Sequence, residues 1–261
     1  MNEKVITILR KTRTVLQIGY EPIDALTRWV NYKRGYPPLW IRQKVGGLND
    51  FEGSGGEYMA YLKVLCNLMP GDNVLDIGCG CGLMCLPVTE NPTLPQFISP
   101  GHYVGLDINE ALIDWCQRHL SNENTDFFWL GGSQNFKMKA SHGSFDVILA
   151  KSLFTHLLPS EVSEYLVEIK SLLNPLGGRG LLTFFLLNEG KREGRYKFER
   201  WDGFDHFSVE RPTRARSAIA YKEEWILGHL EEVGFSIDVY YGSWRGNNKG
   251  LSFQDIIIIR R

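Results

Sequence analysis

The sequence predicts an α/β domain built around a doubly wound sheet. Short apolar runs alternate with amphipathic helical stretches, the first run ends in a glycine-rich turn, and the last two runs follow each other without a helix. Runs that are apolar on both faces are typical of buried parallel strands, and strand–helix–strand order implies right-handed crossovers. With 261 residues, 43% of them hydrophobic, the chain is long enough for one substantial core.

Five apolar runs are expected to form the parallel strands: residues 74–77, 103–107, 126–130, 145–150 and 180–187. Residues 110–120 and 160–173 carry apolar side chains at helical spacing and predict two of the helices between them. Another helix is expected at about 222–233, where Gly234 ends it. Residues 235–241 and 253–259 then indicate two strands joined by a loop, which gives an antiparallel pair.

Two segments match no element of this core. Residues 1–56 precede the first strand, and residues 188–221 are rich in charged and aromatic side chains. Open α/β sheets bind ligands at the carboxyl ends of their strands, so both segments are predicted to cover that edge. We therefore expect an N-terminal helical lid at 1–56 and one domain at 57–261, with an insert at about 188–221.

Charge argues against a polyanionic or lipid partner. The 29 basic and 30 acidic residues are interspersed and sum to −1, so no basic face is predicted for nucleic acid. No signal peptide and no apolar run of about 18 residues is present, which predicts a cytoplasmic protein without a membrane partner. Association with another subunit is left open, because the tryptophans and tyrosines of the N-terminal segment could pack there.

Three of the five cysteines crowd into one stretch, at positions 79, 81 and 85. Their C-x-C-x3-C spacing comes without a nearby histidine pair and lies inside a glycine-rich turn, so no metal site is predicted.

The most informative stretch is VLDIGCGCG at positions 74–82. A strand that runs into Gly78, Gly80 and Gly82 leaves no Cβ in the way of a ligand, and Asp107 at the end of the second strand can accept hydrogen bonds from ribose hydroxyls. These features predict an adenosine-bearing ligand. NAD is disfavoured because its G-x-G-x-x-G pattern would need a glycine at position 83, where Leu83 stands.

The sequence resembles the class I S-adenosylmethionine-dependent methyltransferases. The likeness covers about residues 57–187 and rests on VLDIGCGCG at 74–82, YVGLDI at 103–108, SFDVI at 144–148, FTHL at 154–157 and LNPLGG at 173–178. It implies a Rossmann-like sheet of seven strands with the last one antiparallel, and S-adenosylmethionine as cofactor. The cofactor-binding residues that we expect on these grounds are Asp76, Gly78, Cys79, Gly80, Gly82, Asp107, Ile108, Gln134 and Lys151. Asp76 would engage the cofactor ammonium, and Ile108 the adenine or ribose.

His156 follows the fourth strand and is the candidate general base for a hydroxyl acceptor, with a structural role as its alternative. Tyr58, His206, Trp244 and Arg245 are the candidate acceptor contacts. Trp244 and Arg245 offer an aromatic plane beside a cation, which suits a planar or anionic acceptor.

The predicted function is methyl transfer from S-adenosylmethionine to a hydroxyl or amine of a small molecule or carbohydrate. Lys151-Ser152-Leu153-Phe154 follow the fourth strand, in place of the proline-proline-tyrosine type motif that marks nucleic acid base methylation in this superfamily. Two alternatives remain: a catalytically silent cofactor-binding sensor or partner subunit, and an NAD-dependent oxidoreductase.

Overall fold

The structure is a computed structural model that describes residues 19–31, 35–45, 51–86, 93–131, 144–188, 196–201, 203, 205–246 and 250–261. The described strands are β1 (Val74–Ile77), β2 (Tyr103–Asp107), β3 (Thr125–Trp129), β4 (Val147–Ala150), β5 (Arg179–Phe184), β6 (Leu186–Leu187), β7 (Glu199–Arg200), β8 (Phe207–Val209), β9 (Ile219–Lys222), β10 (Ser236–Tyr240) and β11 (Asp255–Arg260). The described helices are α1 (residues 19–30), α2 (Leu39–Arg42), α3 (Phe51–Leu65), α4 (Leu94–Ile98), α5 (Glu110–His119), α6 (Pro159–Leu172) and α7 (Glu223–Val233).

Seven strands form the main sheet in the order β10-β11-β5-β4-β1-β2-β3. β1 to β5 run parallel, while β11 is antiparallel to both β5 and β10. The predicted doubly wound sheet with an antiparallel last strand is therefore confirmed. The strand order reverses beside β1, which pairs with β2 on one side and β4 on the other, and ligands bind at such a switch point.

Helices cover both faces of this sheet. α3, α4 and α5 pack on one face in a core that includes Leu62, Tyr103 and Cys116. α6 and α7 pack on the other, where Leu166 and Leu230 are fully buried. β1 and β4 have four buried residues each, which explains why their sequences are apolar on both faces.

The run predicted as one strand at 180–187 is split in the structure. β5 belongs to the main sheet, whereas β6 pairs with β9 in a second sheet of four strands, ordered β6-β9-β8-β7. Periodicity could not reveal this division, because both halves of the run are apolar and buried.

Part of the insert at 188–221 differs from the expected lid, because it completes the core. Phe207, Val209, Ile219 and Tyr221 in β8 and β9 are buried against the face that carries α6 and α7. These strands are short, so their sequence signal is weak, and only their pairing with β6 and with each other reveals them.

The glycine-rich stretch from Phe51 to Tyr58 spans the end of the lid predicted at 1–56 and the start of the predicted domain. These residues are the first half of α3, where Gly55 and Tyr58 are buried. Tertiary packing outweighs the poor helix propensity of glycine here. α1 faces the rest of the chain with its charged side, since Asp24 accepts from Leu39 N at 3.1 Å and also binds Arg42.

Candidate active site

The glycine turn is held by backbone hydrogen bonds to the neighbouring strand. Gly78 N and Cys79 N both donate to Leu106 O, at 2.7 and 3.0 Å. Gly82 adopts φ +73°, and a Cβ there would lie 2.4 Å from Leu120 Cδ1. Only glycine therefore lets the turn lie this close to the end of α5.

The N-terminal segment contacts the same turn. Gly80 has φ +59°, and a Cβ on it would lie 2.7 Å from Val45 Cγ1. Val45 thus packs directly on Gly80, which places the residues after α2 beside the predicted cofactor loop.

Asp107 lies at the carboxyl end of β2 and faces this turn. Its Oδ2 accepts from Gly80 N at 2.9 Å and its Oδ1 from Asn109 N at 2.7 Å. Burial raises the pKa of this carboxyl, and the backbone N–H groups of Asn109, Gly80 and Ile108 oppose that rise. An ionised carboxylate has about four lone-pair sites, so each oxygen still has capacity for a ribose hydroxyl.

Asp76 is buried at the end of β1. Tyr103 Oη donates to its Oδ2 at 2.7 Å, and burial raises its pKa to about 7. The positive charge of Lys151 acts in the opposite direction and lowers this pKa. A carboxyl in this state gains strongly from a cation brought close to it.

Lys151 connects Asp76 to α3. Its Nζ lies 4.9 Å from the centroid of the Tyr58 ring, and burial raises the pKa of the Tyr58 hydroxyl to about 12. The structure therefore brings Tyr58 to the carboxyl end of β4, beside a predicted cofactor residue.

A solvent-facing apolar surface follows β2. Ile108 is 64% exposed, and its carbonyl accepts a 3.0 Å hydrogen bond from Trp129 Nε1 at the end of β3. Trp129 was not among the residues predicted from sequence, although it pairs with Asp107 in the β2–β3 register. Gln134, another of the predicted cofactor-binding residues, lies outside the described residues.

His156 is exposed on a 3-10 turn, Phe154–His156, that follows β4. Its Nδ1 lies 2.8 Å from the carbonyl oxygen of Arg216. Because a carbonyl only accepts, Nδ1 carries the proton in this contact, and Nε2 is the basic nitrogen of the neutral ring. Arg216 is itself held by Glu161 of α6, at 2.6 Å.

Three polar side chains meet where β4, β5 and β11 reach the same edge. Ser152 N donates to Thr183 Oγ1 at 2.7 Å, and the hydroxyls of Ser152 and Thr183 both donate to Gln254 Oε1, at 3.0 and 2.8 Å. Ser152 has φ +56°, which is uncommon for a residue other than glycine. Neither Thr183 nor Gln254 was predicted from sequence, because no local pattern connects positions so far apart along the chain.

The structure corrects the expected surface role of Trp244. This side chain is buried, and its Nε1 donates to Asp255 Oδ2 at 2.7 Å. Arg245 is also mostly buried and donates to Leu186 O at 2.6 Å, while its guanidinium lies 5.0 Å from the Tyr241 ring. Both residues therefore anchor the β10–β11 connection instead of offering an open aromatic plane and a free cation.

His206 packs beside α7. Its ring stacks on Trp225 with centroids 4.8 Å apart, and burial lowers its pKa. The ring contacts with Phe207 and with Trp225 of α7 hold the His206 side chain against that helix.

The cysteines of the turn are buried thiols. Burial raises the pKa of Cys81 to about 12 and the pKa values of Cys79 and Cys85 as well, so these groups stay protonated at neutral pH. Among the described residues, no group of three or more His, Cys, Asp or Glu side chains has a metal-binding arrangement. Within the same residues, no helix has the length and apolarity required to cross a bilayer.

The arrangement fits an adenosine-bearing ligand with an amino acid part. Asp107 provides acceptors for a ribose, Ile108 an exposed apolar surface, and Asp76 a buried carboxyl that would favour a nearby ammonium. This sheet and the side chains at the ends of β1 and β2 match the arrangement that the sequence predicts for a class I methyltransferase.

Comparison with known proteins identifies the family. A family described as "Methyltransferase domain" matches residues 74–177. The chain is 34% identical over 115 residues to phthiotriol/phenolphthiotriol dimycocerosates methyltransferase 1 of Mycobacterium ulcerans. This alignment covers 44% of this chain and 38% of that protein. It is 23% identical over 204 residues to the ubiquinone biosynthesis O-methyltransferase of Bartonella tribocorum, covering 75% of this chain and 76% of that protein.

A similar fold occurs in magnesium protoporphyrin IX methyltransferase of Synechocystis PCC 6803, which was solved with bound S-adenosylmethionine. The TM-score is 0.50 at 20% identity, over 95% of this chain and 96% of that one. Residues 74–177 thus form a methyltransferase domain, and the similar proteins are methyltransferases. The predicted class and the predicted methyl donor are thereby confirmed, and NAD is disfavoured.

Proposed function

We propose that the chain transfers a methyl group from S-adenosylmethionine to a hydroxyl of a small molecule. The observation that carries this proposal is the Asp107 carboxylate, held against the glycine turn by Gly80 N and Asn109 N. This contact positions a ribose acceptor directly beside the glycine turn, on which Val45 and Leu120 pack at Gly80 and Gly82.

The proposed cofactor contacts follow from this placement. Asp107 binds the ribose, and the exposed side chain of Ile108 packs on the adenine next to Trp129. Asp76 faces the ammonium of the methionine part, a role supported by its burial and raised pKa. Lys151 directly follows β4, lies 4.9 Å from the Tyr58 ring and lowers the pKa of Asp76 through its charge.

When bound, S-adenosylmethionine supplies a sulfonium methyl group: the acceptor oxygen bonds to the methyl carbon while the carbon–sulfur bond breaks and its electron pair stays on sulfur. An alcohol is a weak nucleophile until its proton is removed. His156 is the proposed base, because the Arg216 carbonyl fixes its proton on Nδ1 and leaves Nε2 to take the proton of the acceptor. A base beside the site is needed for a hydroxyl acceptor more than for a neutral amine, so His156 favours a hydroxyl. The Bartonella relative, which is named an O-methyltransferase, agrees with a hydroxyl acceptor.

Titration calorimetry with S-adenosylhomocysteine, S-adenosylmethionine and NAD tests the donor site. Wild-type protein should bind the first two and not NAD. Asp107→Ala should weaken both about 30-fold or more, since it removes two charge-assisted hydrogen bonds that are together worth about 2 kcal/mol or more. Asp114→Ala is the control, because that carboxylate is exposed on α5 and pairs with Arg118. Binding of NAD alone would refute the proposal.

His156→Asn tests the base. The asparagine amide retains a donor for the Arg216 carbonyl but has no basic nitrogen, so the hydrogen bond survives and proton transfer does not. With a hydroxyl acceptor found by screening for S-adenosylhomocysteine formation, kcat should fall about 100-fold or more, because no side-chain nitrogen is left to take the proton of the acceptor. An unchanged kcat would show that His156 is not the base and that its role is structural. Cofactor binding without transfer to any hydroxyl or amine would instead favour the sensor alternative.

A further inference from the structure

The polar cluster of Ser152, Thr183 and Gln254 lies beside a set of packed aromatic rings. Phe185 follows β5 directly, and its ring centroid lies 5.2 Å from Tyr196, 5.4 Å from Phe198 and 6.1 Å from Phe253. Trp244 supports Phe185 from the buried side, at 5.2 Å. Phe253 is 41% exposed and directly precedes Gln254 in the chain, whereas Phe185 is buried among the rings.

The hydrogen bonds of Gln254 fix the direction of its amide. Thr183 Oγ1 accepts from Ser152 N, so its own proton goes to Gln254 Oε1, which also receives the hydroxyl of Ser152. The amide oxygen is thus satisfied, and the Nε2 donors are at the other end of the group. Among the described residues, no hydrogen bond of Nε2 is present, and Gln254 is only half-buried.

The backbone conformation of Ser152 indicates that this cluster has a functional role. A left-handed conformation in a residue with a Cβ costs free energy and persists where the surroundings impose it, which is frequent at binding and catalytic sites. Here it turns the Ser152 N–H toward Thr183 immediately after Lys151, at the strand edge where the donor site is proposed.

We propose that Gln254 and the partly exposed rings of Tyr196, Phe198 and Phe253, which pack on the buried Phe185, form the acceptor subsite, which takes a planar aromatic hydroxyl compound. The rings receive the aromatic body edge-to-face or offset. Gln254 Nε2 donates to the acceptor oxygen and stabilises the negative charge that grows there as the proton leaves. This inference rests on the proposed methyl transfer, because it assigns the second substrate of the same site.

The test uses 4-nitrophenolate at pH 9 as a probe, since this planar oxyanion accepts hydrogen bonds and donates none. The full chain is saturated with S-adenosylhomocysteine, and binding of the probe is measured by titration calorimetry. Gln254→Glu keeps an acceptor for Ser152 and Thr183 but replaces the amide donors with a negative charge, so probe affinity should fall at least tenfold. Gln96→Glu makes the same charge change on the exposed face of α4 and should alter it less than twofold.

Phe253→Ala should weaken the probe about fivefold, a size typical of a lost ring contact. Both variants should bind S-adenosylhomocysteine as wild type does, which shows that the donor site is intact. Equal probe affinity in wild type and Gln254→Glu, or no probe binding at all to the cofactor-loaded protein, overturns the acceptor subsite while the donor site stands. If S-adenosylhomocysteine itself fails to bind, the proposed function fails first.

Discussion

At the scale of single residues, the site contains two carboxyls in very different surroundings. Asp107 is bonded by backbone N–H groups that favour its charged form, whereas Asp76 has one phenol partner and complete burial. The first is prepared to accept hydrogen bonds from hydroxyls. The second is held with a pKa of about 7 and gains most from an approaching cation.

The raised pKa of Asp76 predicts a pH dependence of stability. The folded chain binds this proton more tightly than the unfolded chain, so the contribution of Asp76 is complete below about pH 4 and is lost as the pH rises to about 7. Asp76→Asn removes the titration while keeping an acceptor for Tyr103. The free energy of unfolding in urea should then rise by about 1–3 kcal/mol at pH 8, because a pKa difference of one corresponds to about 1.4 kcal/mol.

At pH 4 the same variant should differ little from wild type. Asp114→Asn, at an exposed position on α5, serves as the control and should leave the pH dependence as it is. If the difference in free energy of unfolding between Asp76→Asn and wild type were the same at pH 4 and pH 8, the raised pKa of Asp76 would be contradicted.

At the scale of elements, the glycine turn determines how closely β1 can approach α5. Gly82 has a positive φ, which favours glycine, and a Cβ on it would lie 2.4 Å from Leu120 Cδ1 and 3.3 Å from Cys116 Sγ, so the Leu120 side chain would also have to move. His156 depends in a similar way on a neighbouring element, since the 3-10 turn Pro212–Ser217 supplies the carbonyl that orients its ring.

Gly82→Ala should therefore destabilise the protein and weaken cofactor binding. The left-handed conformation alone costs about 1–2 kcal/mol for a residue with a Cβ, and the clash with α5 adds to it. Gly71→Ala is the matched control: Gly71 has φ +93°, but nothing lies within 4 Å of its Cβ position. Thermal unfolding of both variants separates the two costs, and equal losses would show that the contact with α5 is unimportant.

At the scale of the whole molecule, Asp255 joins the two sheets. This fully buried carboxylate begins β11 and accepts from Leu186 N in β6, Gly242 N and Trp244 Nε1, at 2.7, 2.8 and 2.7 Å. Arg245 lies 3.4 Å away. The contacts tie the main sheet, the second sheet and the β10–β11 connection to one side chain.

Asp255→Ala should lower the free energy of unfolding by about 3–5 kcal/mol, because it leaves a buried guanidinium and several buried donors without their acceptor. Asp238→Ala provides the comparison, since its ion pair with Arg260 on the same pair of strands is nearly half exposed and is worth less than about 1 kcal/mol. Chemical denaturation measures both. A loss below about 1 kcal/mol in Asp255→Ala would show that the two sheets are held together by apolar packing alone.

Local pattern was sufficient for the layout of the main sheet and for placing the candidate cofactor residues at one edge of it. Each strand from β1 to β4 is a short apolar run, and the glycine turn, Asp76 and Asp107 sit at the ends of such runs, so their meeting at one edge follows from parallel topology. The cofactor class followed from these residues and from the resemblance they carry. The roles of the predicted site residues remain predictions, and Gln134 lies outside the described residues.

Contacts between residues far apart in the chain could not be predicted from local sequence pattern. Three sets of hydrogen bonds join residues from different elements. They connect Ser152 and Thr183 with Gln254, Trp244 with Asp255, and His156 with Arg216. A sequence encodes periodicity along the chain, which determines the faces of strands and helices. Which side chains meet across those faces depends on sheet order and on how the short strands β6 to β9 pair, and only the tertiary structure decided it.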